Sequence, residues 1–314
     1  MVKKKIVVIG GGTGLSVLLR GLKTFPVEIT AIVTVADDGG SSGRLRQELN
    51  IPPPGDVRNV LTALAEVEPL VEELFQHRFE NGNGLSGHSL GNLLLAGITS
   101  ITGDFARGIT ELSKVLNVRG KVLPAANQSI ILHAQMCDGS IVTGESKIPL
   151  EGKRIKRVFL TPQNISPLGA SIEAIREADC IVIGPGSLYT SILPNLLVPG
   201  IAEEVKRSKA SKVYICNVMT QQGETDEYFA SDHVQALIDH CGPGLVDYII
   251  VNQQLIPKEI CQSYSEEGAI PVLFDKERLE KLNLKVINDS FILYRDKLIR
   301  HDAIKVSEAI LSLT

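Results

Sequence analysis

Tryptophan is absent from this chain, and eight phenylalanines and six tyrosines are its whole stock of large aromatic rings. That scarcity leaves few platforms on which bases or a flavin could stack. The five cysteines (Cys137, Cys180, Cys216, Cys241 and Cys261) stand far apart, with no C-x-x-C pair among them. They read as reduced, mostly buried thiols of a cytoplasmic protein. His77, His133, His233, His240 and His301 show no H-x-x-x-H or other metal spacing. No G-x-S-x-G elbow appears and no cysteine sits in an activating context, so covalent catalysis lacks support. A G-x-x-x-x-G-K-[ST] loop is missing too, which argues against a P-loop triphosphatase. Basic charge is not in excess: 32 Lys and Arg face 36 Asp and Glu, a net charge of −4. No field therefore draws nucleic acid or an anionic membrane. Lys3-Lys4-Lys5 precedes an apolar run of only four residues, too short for a signal-peptide core, and nothing approaches a membrane span.

What is present is glycine in the right place. IVVIGGGTGLSVLLRGL, residues 6–22, runs from β-favouring residues into Gly10, Gly11, Gly12, Thr13 and Gly14, then into a helical pattern carried by Leu15, Leu18, Leu19 and Leu22. Strand, glycine turn and helix open a nucleotide-binding α/β domain. Glycine lets bare N–H groups approach a phosphate, and the helix aims its positive end at the same point. The alternative is a turn that only packs helix on strand. A G-x-G-x-x-G fingerprint is incomplete because Leu15 stands where its last glycine belongs, which weakens an NAD-dependent oxidoreductase.

The alternating pattern recurs. Strands are expected at 28–36, 180–183, 212–218 and 246–251, each beside a helical pattern, with mostly helix over 66–120 interrupted at 81–87. Residues 129–135 and 140–146 flank Cys137-Asp138-Gly139 as a hairpin, and 153–160 adds a further strand. The tail, 290–302, suggests a hairpin about Arg295-Asp296-Lys297, closed by a helix from Ala303. The expected fold is α/β: a Rossmann-like, mostly parallel sheet with helices on both faces, a helical insertion and a small antiparallel hairpin. One domain over 1–314, with its insertion around 66–160, accounts for the pattern.

Ligands of such sheets bind beyond the carboxyl ends of the strands. Those ends carry residues 10–14, then Asp37-Asp38, Gly184-Pro185-Gly186-Ser187, Asn217 and Asn252-Gln253. Asp37 and Asp38 suit either ribose hydroxyls or Mg²⁺ with substrate phosphates. Asp56 either supplies another oxygen at that edge or caps the helix after Pro52-Pro53-Pro54-Gly55. His88 and Asn92 start a helix in a glycine-flanked segment, placed for polar ligand contacts or for a structural role. Arg44 and Arg46 are placed to pair with phosphates or to remain solvated.

GGGTGLSVLLRGLK, TVADDGGSSGRLR, PPPGDVRNVLTAL, GHSLGNLLL, LPAANQSIILHA, GPGSLYTSILPNLLVPGI, CNVMTQQGETDEY and LIRHD together resemble the bacterial gluconeogenesis factor family, over essentially the whole chain. That family lies within the superfamily of 2-phospho-L-lactate transferases. The resemblance implies a Rossmann-like fold, cytoplasmic location, dimerisation, and binding of a UDP-sugar such as UDP-N-acetylglucosamine. It also implies a role in cell shape and in growth on gluconeogenic carbon sources, with an unidentified protein partner in cell-wall regulation. From the transferase branch it implies Mg²⁺ on Asp38 and Asp56, and from the RHD motif a ligand contact at Arg300. That branch also binds a deazaflavin; the DDGGSSGRLR loop and the scarcity of aromatics depart from it. The expectation is a regulatory binding protein, with a Mg²⁺-dependent transferase acting on a nucleoside-diphosphate-linked donor as the alternative.

Overall fold

Strands without polar alternation must be buried on both faces, as in the middle of a parallel sheet. β1 (Lys5–Gly10) is such a strand; it feeds α1 (Gly12–Leu22), and the chain returns as β2 (Glu28–Val33). The computed structural model describes residues 3–266, 268–295 and 298–314. After β2 come α2 (Gly40–Leu49), α3 (Gly55–Leu64), α4 (Pro69–Gln76), α5 (Leu90–Thr102) and α6 (Phe105–Val115), then β3 (Lys121–Pro124). β4 (Ile131–Met136), β5 (Ile141–Thr143) and β6 (Ile155–Thr161) form a separate antiparallel sheet in the order β5-β4-β6. The winding resumes through α7 (Gly169–Glu177), β7 (Cys180–Ile183), α8 (Leu193–Leu196), α9 (Ile201–Arg207), β8 (Ser211–Ile215), α10 (Ala230–Cys241) and β9 (Tyr248–Asn252). α11 (Lys258–Glu266), α12 (Lys276–Lys281) and β10 (Lys285–Asp289) follow. An antiparallel pair, β11 (Ile292–Arg295) and β12 (Leu298–His301), leads into α13 (Ala303–Leu311).

Seven parallel strands lie in the order β10-β9-β8-β7-β1-β2-β3, a Rossmann-like sheet. From β1 the chain winds one way through β2 and β3, and from β7 the other way through β8 to β10. The reversal between β1 and β7 opens a crevice at their carboxyl ends, where ligands of such sheets bind.

Two of the seven strands, β3 and β10, are not expected from the sequence. Both lie on the edges, β3 alternating exposed with more buried residues and β10 holding only half-buried and exposed ones, so neither shows the apolar run of a central strand. The hairpin at 137–139 is present, and the expected turn at Asp296-Lys297 lies outside the described residues. The five cysteines are free, but only Cys180 and Cys216 are buried; Cys241 and Cys261 are half-buried and Cys137 is exposed. Asp56 does not cap α3, because the helix begins two residues earlier than such a cap requires, at Gly55, with Pro54 at the cap position.

Leu15, Leu18, Leu19 and Leu22 of α1 are all buried, and each contributes about 1.5–3 kcal/mol by leaving water. On another face of α1, Gly21 meets α13. A Cβ there would stand 2.5 Å from the Ala303 carbonyl oxygen. Gly21→Ala gains about 1 kcal/mol of helix propensity but overpacks this contact at a cost of roughly 1–3 kcal/mol. The urea midpoint should therefore fall, and fall further for Gly21→Val. An unchanged midpoint in both would mean that α13 is free to shift.

Candidate functional site

The crevice holds a cleft of about 480 Å³. On its β1 side lie Gly11, Gly12, Thr13 and Gly14; on its β7 side lie Gly186 and Ser187; Asn217 through Gln222 follow β8. Tyr264, Ile299, Arg300 and His301 close the remaining wall. Of the sequence-derived candidates, Gly10 and Gly184 stand just beneath this lining, at the ends of the β1 and β7 backbones. Gly10 O accepts from the Asn195 side chain at 3.0 Å, which ties the turn to α8. The first N–H groups of α1 have no partner earlier in the helix, so this end is built for an acceptor. Gly12 takes φ +68°, a conformation that favours glycine.

Side chains across the crevice are linked. Asn217 Nδ2 donates to Gln221 Oε1 at 3.1 Å, and Gln221 Nε2 donates to Ser187 Oγ at 2.7 Å. His301 Nε2 donates to the Cys216 carbonyl at 3.2 Å, and burial pulls the imidazole down to about 4, so it is neutral at pH 7. Among the described residues no carboxylate or lysine lines the cleft, and Arg300 is the one cationic side chain.

The acids gather on the far side of the glycine turn. Asp56 receives the Gly12 N–H and presses on Gly11, where a Cβ would stand 2.5 Å from Asp56 Oδ2 and 2.7 Å from Thr34 Cγ2. Thr34 is buried and its hydroxyl has no hydrogen-bond partner. Asp37, not Asp38, is the carboxylate beside Asp56; its Oδ1 accepts from Gly39 N at 2.8 Å. Asp38 turns to the antiparallel insertion and accepts from Ser146 N at 2.9 Å. That contact delivers Glu145 to the same acids. Burial and the neighbouring Asp37 push Asp56 up to about 7, against the Gly12 hydrogen bond. Burial, then Asp37 and Asp56, push Glu145 up to about 8. Glu224, buried, accepts from Tyr189 N and the Thr190 hydroxyl and rises to about 7. Among the described residues no three His, Cys, Asp or Glu side chains form a ready metal cage.

The family model of the 2-phospho-L-lactate transferase CofD matches residues 6–292, from β1 to the start of β11. The chain belongs to the CofD family. Within that family it is 72% identical over 311 residues to a gluconeogenesis factor of Halalkalibacterium halodurans, covering 99% of this chain and 97% of that one. A gluconeogenesis factor of Bacillus subtilis is 66% identical over 311 residues, covering 99% and 98%. A crystal structure of a Bacillus halodurans protein, also 72% identical, superposes with a TM-score of 0.98 over 99% of this chain and 100% of that one. No helix among the described residues is long and apolar enough to cross a membrane.

Several residues of this CofD-family site carry no signal in the sequence. Glu145 and Glu224 are single acids in loops, Tyr264 reaches the cleft from α11, and His301 reaches it only because the tail folds back over it. Thr34 reads simply as part of a strand.

The raised carboxyls set a pH dependence. Glu145 takes up a proton more readily folded than unfolded, so its favourable share is complete below about pH 4.5 and is lost as pH rises through about 8. Asp56 acts in the same sense. Glu145→Gln removes that loss, so its Tm should exceed the wild type's near pH 8 and match it near pH 4.5. Parallel Tm profiles across that range would show that Glu145 ionises freely.

Proposed function

We propose that this chain is a nucleotide-sugar-binding regulatory protein of the cytoplasm. Its diphosphate-linked ligand lies over the glycine turn, and UDP-N-acetylglucosamine is the leading candidate. One observation carries the reading: among the described residues the cleft lining joins a helix N-terminus and a single arginine with small and neutral polar groups, and no acid. Such a lining suits an anionic diphosphate bearing a neutral sugar and base. Thr13 and Gly14 N–H groups would meet the phosphates, Arg300 would close over them, and the linked Ser187, Gln221 and Asn217 side chains would hold hydroxyls. The gluconeogenesis factor name of the relatives supports a role in growth on gluconeogenic carbon sources. The wider resemblance supports one in cell shape.

The family's transferase name supports a second reading, favoured by the acids behind the glycine turn. Carboxylates and the enclosed, unpartnered Thr34 hydroxyl are hard oxygen donors that fit Mg²⁺. Asp56 would hold the ion together with Asp37, or with Asp38 if it releases Ser146. Bound there, Mg²⁺ would neutralise diphosphate charge and polarise the bond to a departing nucleotide. Among the described residues of the cleft lining only His301 could serve as base for an acceptor hydroxyl, and burial makes it a weak one by pulling its pKa down to about 4.

Incubation with Mg²⁺ and UDP-N-acetylglucosamine separates the two. Intact ligand, recovered after raising stability by about 2.7 kcal/mol at 100 times Kd, is the expected result. UDP released beyond one equivalent would make the protein an enzyme. Asp56→Asn and Asp37→Asn should abolish the Mg²⁺ dependence of binding; if both keep it and Asp38→Asn loses it, Asp38 is the ligand.

A further inference from the structure

On the other side of the acids from the cleft, the amino ends of α2, α3 and α5 meet. Three arginines converge on the short segment that precedes and opens α5. Arg44 of α2 donates through Nη2 to the Ser86 carbonyl at 2.7 Å. Arg78 donates to the Gly87 carbonyl, and its backbone is bridged to Ser89, the cap of α5. Arg58 of α3 packs its stem on Gly91, where a Cβ would stand 2.8 Å from Cδ.

The ion-paired arginines among the described residues are Arg20, Arg119, Arg176, Arg207 and Arg278. None of the three at this junction is among them. Arg58 has Arg78 as its nearest like charge, with Asp56 and Asp37 attracting it from beyond ion-pair distance. It is only 8% exposed, and its Nε–H has no partner. Its Nη2 donates to Asn59 Oδ1 at 2.7 Å. Beside Gly91, Asn92 is buried and donates to Ser41 Oγ at 3.1 Å, yet its Oδ1 receives nothing. A buried donor on a cation and a buried acceptor, both unmatched in one place, each carry a desolvation cost that a ligand would relieve.

We propose that Arg44, Arg58 and Arg78 form a second anion site, taking the phosphate of a hydroxylated phosphomonoester. Guanidinium forks match phosphate oxygens, and a dianion answers three cations better than a carboxylate does. The unmatched Asn92 Oδ1 accepts from a hydroxyl carried with that phosphate. The site flanks Asp56 opposite the nucleotide cleft, which makes its occupant a second ligand rather than part of the first. Only this last point rests on the nucleotide reading.

The test is calorimetry of inorganic phosphate into the full chain at constant ionic strength, with and without saturating UDP-N-acetylglucosamine. Saturable phosphate binding is expected in both, with acetate binding more weakly. Arg78→Gln and Arg58→Gln should each weaken phosphate roughly tenfold, and Arg78→Gln should leave the UDP-N-acetylglucosamine affinity at the wild-type value. Arg78 is exposed, so its variant decides the matter if Arg58→Gln does not fold. Absence of saturable binding, displacement of phosphate by the nucleotide sugar, wild-type phosphate affinity in Arg78→Gln, or tighter acetate would each overturn the assignment. Failure of the nucleotide reading shows separately, as no heat from UDP-N-acetylglucosamine itself.

Discussion

A carboxylate pressed against a glycine turn governs the carboxyl edge of this sheet. Asp56 takes the Gly12 N–H and lies so close to Gly11 that no Cβ fits between them. That single contact locks the end of β1 to the first turns of both α1 and α3. The helix end favours a negative charge there, while burial and Asp37 oppose it. Opposition prevails, since the carboxyl rises to about 7. A carboxyl so placed keeps its proton or takes a cation, and either choice changes the charge beside Gly12.

The contact also partitions the site. Among the described residues the cleft side chains are neutral apart from Arg300, acids collect behind the glycine turn, and the unpaired arginines lie beyond the acids. A diphosphate bound in the cleft as proposed would be separated from Asp37 and Glu145 by the backbone of the turn, and a bridging cation would make close approach favourable.

Much of this was legible in order along the chain. Residues 6–22 state strand, turn and helix through local signals alone, because central parallel strands are apolar throughout and the turn needs glycine. Ser187 and Asn217 were legible for the same reason, as polar residues at the ends of such strands. β3 and β10 were not, because an edge strand half in water carries no distinctive run. The placement of Asp37 and Asp38 was only half legible. Adjacent residues on an extended chain point to opposite sides, so one faces Asp56 and the other the insertion, and no motif states which. Glu145 depends wholly on tertiary contact, since the Asp38–Ser146 hydrogen bond brings its loop to the acids.

That insertion is pinned at its other end by a histidine, with a consequence for pH. His240 Nε2 accepts the Val158 N–H at 3.0 Å, and its Nδ1–H donates to the Ala236 carbonyl at 2.7 Å, so this ring must be neutral. Burial is the main cause lowering its pKa, with Arg157 adding to it; the Ala236 hydrogen bond and Asp239 act the other way. A depressed histidine contributes stability above its ordinary 6.5 that is lost as pH falls through the folded value. Glu145 acts in the opposite sense, losing stability from about 4.5 up to about 8. Just below 6.5 the two slopes offset each other; above 6.5 only the acidic one remains. The insertion is thus held by a neutral imidazole while the loop it carries is strained by carboxylate repulsion. A cation held among the acids, as proposed, would remove the second effect without touching the first, and would so couple ligation at the glycine turn to how firmly the small sheet sits on the large one.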